Sequence, residues 1–141
     1  MWRMDSTVDR ATIILADDHP HVATQLRYLL GETFEVLAVV DDGHALVKAA
    51  ARLRPDMVVT DISMPGMDGI QAAREMRHRQ PSLRIVFITV HDDVALARIA
   101  MEVGQGYVLK ASAGEELVEA VSTVLGGGRF VSASLGSLDP S

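Results

Sequence analysis

Five polar residues that could do chemistry each lie at the end of an apolar run in this sequence. Asp17 and Asp18 follow the first run, Asp61 follows a later one, and Thr89 and Lys110 end the last two. Short apolar runs indicate strands that are buried on both faces of a parallel sheet. Because the carboxyl ends of parallel strands meet at one edge, the sequence predicts that three acids, a hydroxyl and an ammonium group converge in one cleft.

Three carboxylates in one cleft repel each other, so the predicted site requires a cation. Oxygen ligands suit a hard ion such as Mg²⁺, which keeps several waters and binds phosphate oxygens. An aspartate can also attack phosphorus and become an aspartyl phosphate. The metal would then screen the phosphate, and Lys110 and Thr89 could bind its oxygens. The residues alone leave Asp61 open as a nucleophile, a metal ligand or a helix-capping acid.

The composition of the chain excludes several classes of function. It contains no cysteine, which excludes disulfides, thiol catalysis and thiolate metal sites. The 13 basic and 19 acidic residues give a net charge of −6, so we expect no binding of nucleic acid by this domain alone. No apolar run approaches the roughly 20 residues of a membrane span, and the N-terminus lacks the apolar stretch of a signal peptide. We therefore expect a cytoplasmic protein that does not contact membranes.

Strands and helices alternate along the chain and would position the polar residues. Strands are predicted near residues 11–16, 34–40, 57–60, 83–88 and 106–109. Apolar residues at helical spacing follow each strand. This alternation predicts an α/β fold with a parallel sheet and helices on both faces.

The chain is expected to contain one domain with two extensions. We interpret residues 1–10 as a flexible N-terminal segment and residues 11–130 as the domain. Residues 131–141 contain Ser, Gly and Pro and are interpreted as a linker-like tail.

At these residues the sequence resembles the receiver domain of two-component response regulators. The resemblance covers about residues 11–130 and includes every motif in order: Asp17-Asp18, Asp61-x-x-Met64-Pro65-x-x-Asp68-Gly69, Thr89 and Gly106-Tyr107-Val108-Leu109-Lys110. It implies the chemotaxis-type, flavodoxin-like (βα)5 fold. This α/β fold has three layers, with helices on both faces of a five-stranded parallel sheet of order 2-1-3-4-5. The end of the domain, residues 115–132, is most similar to the NarL/LuxR-type subgroup.

The resemblance also implies the chemistry of the acidic residues. Asp61 would be the phospho-acceptor and would contribute to a Mg²⁺ site. Asp18 would bind the metal directly, and Asp17 would bind it largely through water. The backbone carbonyl of Ser63 would complete the protein ligands.

The remaining motif residues would bind the phosphoryl group and change the protein surface in response to it. Lys110 would pair with the phosphoryl group, and Thr89 would swing to bond it. Tyr107 would turn inward behind Thr89 and change the surface around the fourth helix, fifth strand and fifth helix. The alternative for Tyr107 is an ordinary half-buried strand aromatic.

Two residues depart from the pattern of the family. Ala111 follows Lys110 where the family often has proline in a cis peptide, and a cis bond before another residue costs about 3 kcal/mol. Val90 replaces a small residue, and its bulk would restrict access or slow the loss of phosphate. We interpret His19 and His91 as loop histidines, with modulation of access as the functional alternative.

We predict a receiver that accepts phosphate from a sensor histidine kinase and is not a metabolic enzyme. The subgroup implies a transcription regulator that binds DNA through a C-terminal helix-turn-helix domain and forms a homodimer on phosphorylation. One alternative is a Mg²⁺-dependent phosphatase or phosphotransferase with an aspartate nucleophile, although Ser63 stands where such enzymes usually have a general acid. The other is a dimerisation module that works without phosphorylation, against which the complete set of polar residues argues.

Overall fold

A six-stranded parallel sheet forms the centre of the computed structural model, which describes residues 10–136. The strands are β1 (Thr12–Ala16), β2 (Glu35–Val40), β3 (Met57–Thr60), β4 (Arg84–Thr89), β5 (Gly106–Leu109) and β6 (Phe130–Val131). Their order is β2-β1-β3-β4-β5-β6, and every neighbouring pair is parallel. The flavodoxin-like α/β fold and the order of the first five strands are therefore confirmed.

The prediction of only five strands is wrong, because β6 adds a short sixth strand at the edge beside β5. Phe130 N–H donates to the carbonyl of Gln105 at 3.0 Å, and Ser132 N–H donates to that of Tyr107 at 2.9 Å. With 2 residues, β6 is too short to produce the apolar pattern from which a strand is predicted. Of the predicted N-terminal segment, residues 1–9 lie outside the described part of the chain, as do residues 137–141 of the predicted tail.

Five helices connect the strands and cover both faces of the sheet. They are α1 (Pro20–Gly31), α2 (Gly43–Leu53), α3 (Gly69–Arg79), α4 (Val94–Met101) and α5 (Ala113–Leu125). The side chain of Asp68 accepts from Gln71 N–H at 2.8 Å and caps α3. Within residues 10–136, none of the helices has the length and apolar character needed to cross a membrane.

Alternating strand residues divide the core into two halves. Ile13 and Leu15 face α1 and α5 on one side of the sheet. Ile14 and Ala16 face the other side, which is covered by α2, α3 and α4. Because β1, β3 and β4 are buried on both faces, they read as nearly continuous apolar runs in the sequence.

Close packing fixes the position of Asp61 at the end of β3. Its N–H donates to the carbonyl of Ala16 at 2.9 Å, which ties the loop to β1. A Cβ atom at Gly69 would lie 2.0 Å from the carbonyl oxygen of Asp61, so only glycine fits at the start of α3. The backbone that carries this carboxylate is therefore held from both sides.

Candidate functional site

Asp17, Asp61 and Lys110 form an ion cluster at the carboxyl ends of β1, β3 and β5. Lys110 Nζ lies 2.8 Å from Asp61 Oδ2 and 2.9 Å from Asp17 Oδ2. Both aspartates are 3% exposed, so their carboxylates are almost completely removed from water. One ammonium group therefore faces two buried carboxylates, so these three side chains retain a net negative charge.

The two carboxylate oxygens of Asp61 have different surroundings. Oδ1 accepts from Ile62 N–H at 2.7 Å and from Ser63 N–H at 3.3 Å. Oδ2 accepts only from the ammonium of Lys110 within the described residues. The backbone donors orient the side chain, and Oδ2 is the atom that is better placed to act as a nucleophile.

Lys110 keeps its charge in this site. Burial acts to lower the pKa of its ammonium, but the hydrogen bonds to Asp61 and Asp17, together with the charges of these two carboxylates, outweigh burial. The pKa of Lys110 therefore lies above its ordinary value, and the group stays cationic at neutral pH.

Asp18 and His19 complete the acidic cluster on its open side. Asp17, Asp18, His19 and Asp61 each offer one ligand atom, and these atoms lie within 4.8 Å of one another. Asp18 Oδ1 is buried without a partner of hydrogen-bond geometry, although His19 Nδ1 lies 3.2 Å away, and Asp17 Oδ2 is paired only with the ammonium of Lys110 at 2.9 Å. Because carboxylate oxygens that lack hydrogen bonds are costly to bury, the cluster fits a divalent cation such as Mg²⁺.

Thr89 and Tyr107 are joined through the backbone of His91 rather than directly. Thr89 Oγ1 accepts from His91 N–H at 3.1 Å, and Tyr107 O–H donates to the His91 carbonyl at 2.7 Å. The side chain of His91 reaches the other loop, since its Nε2 lies 2.8 Å from Ser63 Oγ. The predicted switch residues are therefore connected to the loop that follows Asp61.

Tyr107 is fully buried and points inward, which is more burial than a half-buried strand aromatic would have. Burial, assisted by the negative charges of Asp93 and Asp92, raises its pKa from 10.0 to about 12. The folded state therefore favours the neutral phenol, and its contribution to stability is lost as the pH rises from 10.0 to about 12.

We expect an alkaline absorbance titration to show a late tyrosinate step near pH 12 that belongs to Tyr107. Tyr107→Phe should remove this step. The control is Tyr28→Phe at the second tyrosine, which is 73% exposed on α1 and should leave the late step in place. A late step that persists in Tyr107→Phe contradicts the assignment.

The structure brings most of the predicted site residues together. Asp17, Asp18, Asp61 and Lys110 share one cluster, and the roles implied for them stay predictions. Val90, which follows Thr89, is 69% exposed. No cis peptide bond occurs within residues 10–136, so the bond before Ala111 is trans.

Two histidine contacts were missed by sequence reasoning. His19 directly follows the acidic pair, so its position in the sequence was a usable signal for a place in the cluster. The contact between His91 and Ser63 had no sequence signal, because it depends on the conformations of two separate loops.

The fold and the acidic cluster match those of a family of signalling domains. Residues 13–122 match the family described as response regulator receiver domain. The chain belongs to this family, and the predicted family is confirmed. It is the receiver domain of a two-component response regulator.

This chain is similar to curated regulators that are longer than the chain itself. The response regulator GacA of Pseudomonas aeruginosa is 33% identical over 123 residues, which are 85% of this chain and 58% of GacA. The chain spans only 53% to 58% of the length of such curated relatives.

Solved structures confirm the predicted subgroup. A LuxR-family response regulator from Aurantimonas sp. has a TM-score of 0.86 at 36% identity, with 89% of this chain and 92% of that chain covered. The receiver domain of RcsB from Salmonella enterica, solved with the phosphate mimic BeF3⁻, has a TM-score of 0.84 at 30% identity. That match covers 92% of this chain and 98% of the RcsB chain.

Proposed function

We propose that this chain is a cytoplasmic receiver that accepts a phosphoryl group on Asp61 from a sensor histidine kinase. The observation that carries the proposal is the position of Asp61 Oδ2. It lies 2.8 Å from Lys110 Nζ, and Asp61 shares a cluster of possible metal ligands with Asp17 and Asp18. A buried nucleophile, a cation for the phosphate and a set of oxygen ligands are the parts that phosphoryl transfer requires.

The proposed reaction moves one phosphoryl group between two proteins. The N–P bond of a phosphohistidine breaks, an O–P bond forms at Asp61 Oδ2, and the imidazole of the kinase leaves with the electron pair. The side chains of Asp17, Asp18 and Asp61, with the Ser63 carbonyl, would hold Mg²⁺, which supplies positive charge for the phosphate oxygens. The Ile62 and Ser63 amides keep the carboxylate oriented. The ammonium of Lys110 would form an ion pair with the negatively charged phosphoryl group.

The proposed switch begins at Thr89. Its hydroxyl oxygen accepts the N–H of His91, and a swing toward the phosphoryl group would break this bond. The carbonyl of His91 also accepts the hydroxyl of Tyr107. Movement of the His91 backbone would therefore displace Tyr107 and change the surface around α4, β5 and α5. The signal would thereby pass from a buried site to an exposed surface.

The proposed output is regulation of transcription by a longer protein. The relatives that this chain matches include transcriptional regulators such as DegU and ExaE, and RcsB forms dimers that bind DNA. A homodimer on phosphorylation and a DNA-binding domain in the same protein are therefore part of the proposal.

Acetyl phosphate and Mg²⁺ provide the direct test. We expect the intact mass to increase by one phosphoryl group when both are present and to stay unchanged when EDTA removes the metal. Absence of the gain with Mg²⁺ would count against the proposal. Sustained hydrolysis of a small phosphate ester without a phosphoprotein would instead support the phosphatase alternative.

A further inference from the structure

We propose that His19 is an additional protein ligand of the divalent cation, which gives the site a preference for imidazole-binding metals over Mg²⁺. The inference rests on the proposed function only in requiring that the acidic cluster binds a divalent cation. It adds a nitrogen donor to a set of ligands that is otherwise built from oxygen atoms.

The imidazole of His19 points at the carboxylates of the cluster. Its Nδ1 lies 3.2 Å from Asp17 Oδ1, 3.2 Å from Asp18 Oδ1 and 3.9 Å from Asp61 Oδ2. Octahedral ligands at about 2.1 Å from an ion are about 3 Å apart when adjacent and about 4 Å apart when opposite. The 3.2 Å separations of His19 Nδ1 from Asp17 Oδ1 and Asp18 Oδ1 therefore suit adjacent ligands of one ion.

The local backbone directs this ring toward the cluster. His19 is the N-cap of α1, and its N–H donates to Asp17 Oδ1 at 2.8 Å. Pro20 follows in the first turn, where its fixed backbone suits a helix start. An N-cap side chain usually bonds the helix backbone, but that of His19 makes no such bond. The ring instead faces the cluster, where its Nδ1 lies at hydrogen-bond distance from Asp17 Oδ1, 3.2 Å away, and a bound ion would replace this contact.

His19 and Lys110 use different atoms of Asp17. The imidazole faces Oδ1 and the ammonium faces Oδ2, so the two groups do not compete for one oxygen. Lys110 Nζ also lies 3.4 Å from His19 Nδ1. Coordination would use the lone pair of Nδ1, the ring nitrogen that faces the cluster.

An imidazole changes the choice of metal in a predictable direction. Carboxylate and water ligands suit Mg²⁺ and Mn²⁺, whereas imidazole suits ions such as Ni²⁺ and Zn²⁺. Loss of a ligand nitrogen should therefore weaken the binding of Ni²⁺ and leave that of Mg²⁺ nearly unchanged.

The test uses untagged protein at constant pH, because an added histidine tag would bind Ni²⁺ itself. His19→Ala should weaken Ni²⁺ binding in calorimetry by about tenfold or more and leave the Mg²⁺ affinity unchanged. The matched control is His21→Ala, which removes an exposed histidine of α1 two residues away and should alter neither affinity. Pulsed EPR of Mn²⁺ bound to the unmodified chain should show hyperfine coupling to a directly bound nitrogen.

The outcomes separate this inference from the proposed function. Mn²⁺ binding without nitrogen coupling, together with equal Ni²⁺ affinity in His19→Ala, overturns the role of His19 and leaves the receiver chemistry intact. Failure of the unmodified chain to bind any divalent cation overturns both. Nitrogen coupling that is lost only in His19→Ala supports the inference.

Discussion

Replacing Asp61 by asparagine should abolish phosphoryl incorporation from acetyl phosphate. The amide oxygen can still accept from the Ile62 N–H, which lies 2.7 Å from Oδ1, so the side chain can keep its orientation. The amide nitrogen of asparagine then stands in the place of Oδ2. It lacks the negative charge and the nucleophilic lone pair of a carboxylate oxygen. Intact-mass measurement with Mg²⁺ should therefore show no gain, and circular dichroism should show an unchanged fold.

Asp68→Asn is the matched control for this variant. Asp68 lies in the same loop, but its carboxylate caps α3 by accepting from Gln71 N–H. Asparagine caps helices about as well as aspartate, so this variant should incorporate phosphate like the unmodified chain. A full mass gain in Asp61→Asn would mean that another side chain accepts the group.

The sequence was sufficient to predict the acidic site because the fold imposes its geometry. In a parallel sheet the strand ends share one edge, so Asp17 and Asp61 were expected to lie close once the neighbouring strands β1 and β3 were assigned, and the long side chain of Lys110 reaches them from β5. Their separations of 2.8 Å and 2.9 Å are the contacts expected of buried opposite charges.

Features that depend on short segments or loop conformations could not be predicted. β6 has 2 residues and is held by backbone bonds such as that from Ser132 N–H to the Tyr107 carbonyl. The link from Ser63 to His91 likewise joins two loops whose paths no local pattern fixes. The inward turn predicted for Tyr107 is a change between two states. The sequence does not indicate which state a given structure shows, and here Tyr107 already lies fully buried.

Replacing Lys110 by alanine should strongly destabilise the metal-free protein. The side chain of Lys110 is 10% exposed, and its ammonium faces the carboxylates of Asp17 and Asp61. Removing one partner from a buried ion pair leaves an uncompensated charge and costs about 3 kcal/mol or more. Denaturant unfolding in EDTA should show this decrease in the free energy of unfolding. Because the pKa of Lys110 is raised, its contribution persists at neutral pH and is lost only as the pH rises through that pKa.

Mg²⁺ should return much of this stability, and the gain should be larger in Lys110→Ala than in the unmodified chain. A ligand that binds only the folded state stabilises it by about 2.7 kcal/mol at one hundred times its Kd, and loss of the ammonium leaves more negative charge to attract the ion. Lys48→Ala, which removes an exposed lysine of α2, should show neither the loss nor the larger gain. Equal stability of Lys110→Ala and the unmodified chain in EDTA would show that the ammonium does not balance the cluster. A larger gain in the free energy of unfolding with Mg²⁺ in Lys110→Ala would show that the metal and the ammonium neutralise the same carboxylates. Once the metal is bound, the ammonium of Lys110 can then pair with a phosphoryl group instead.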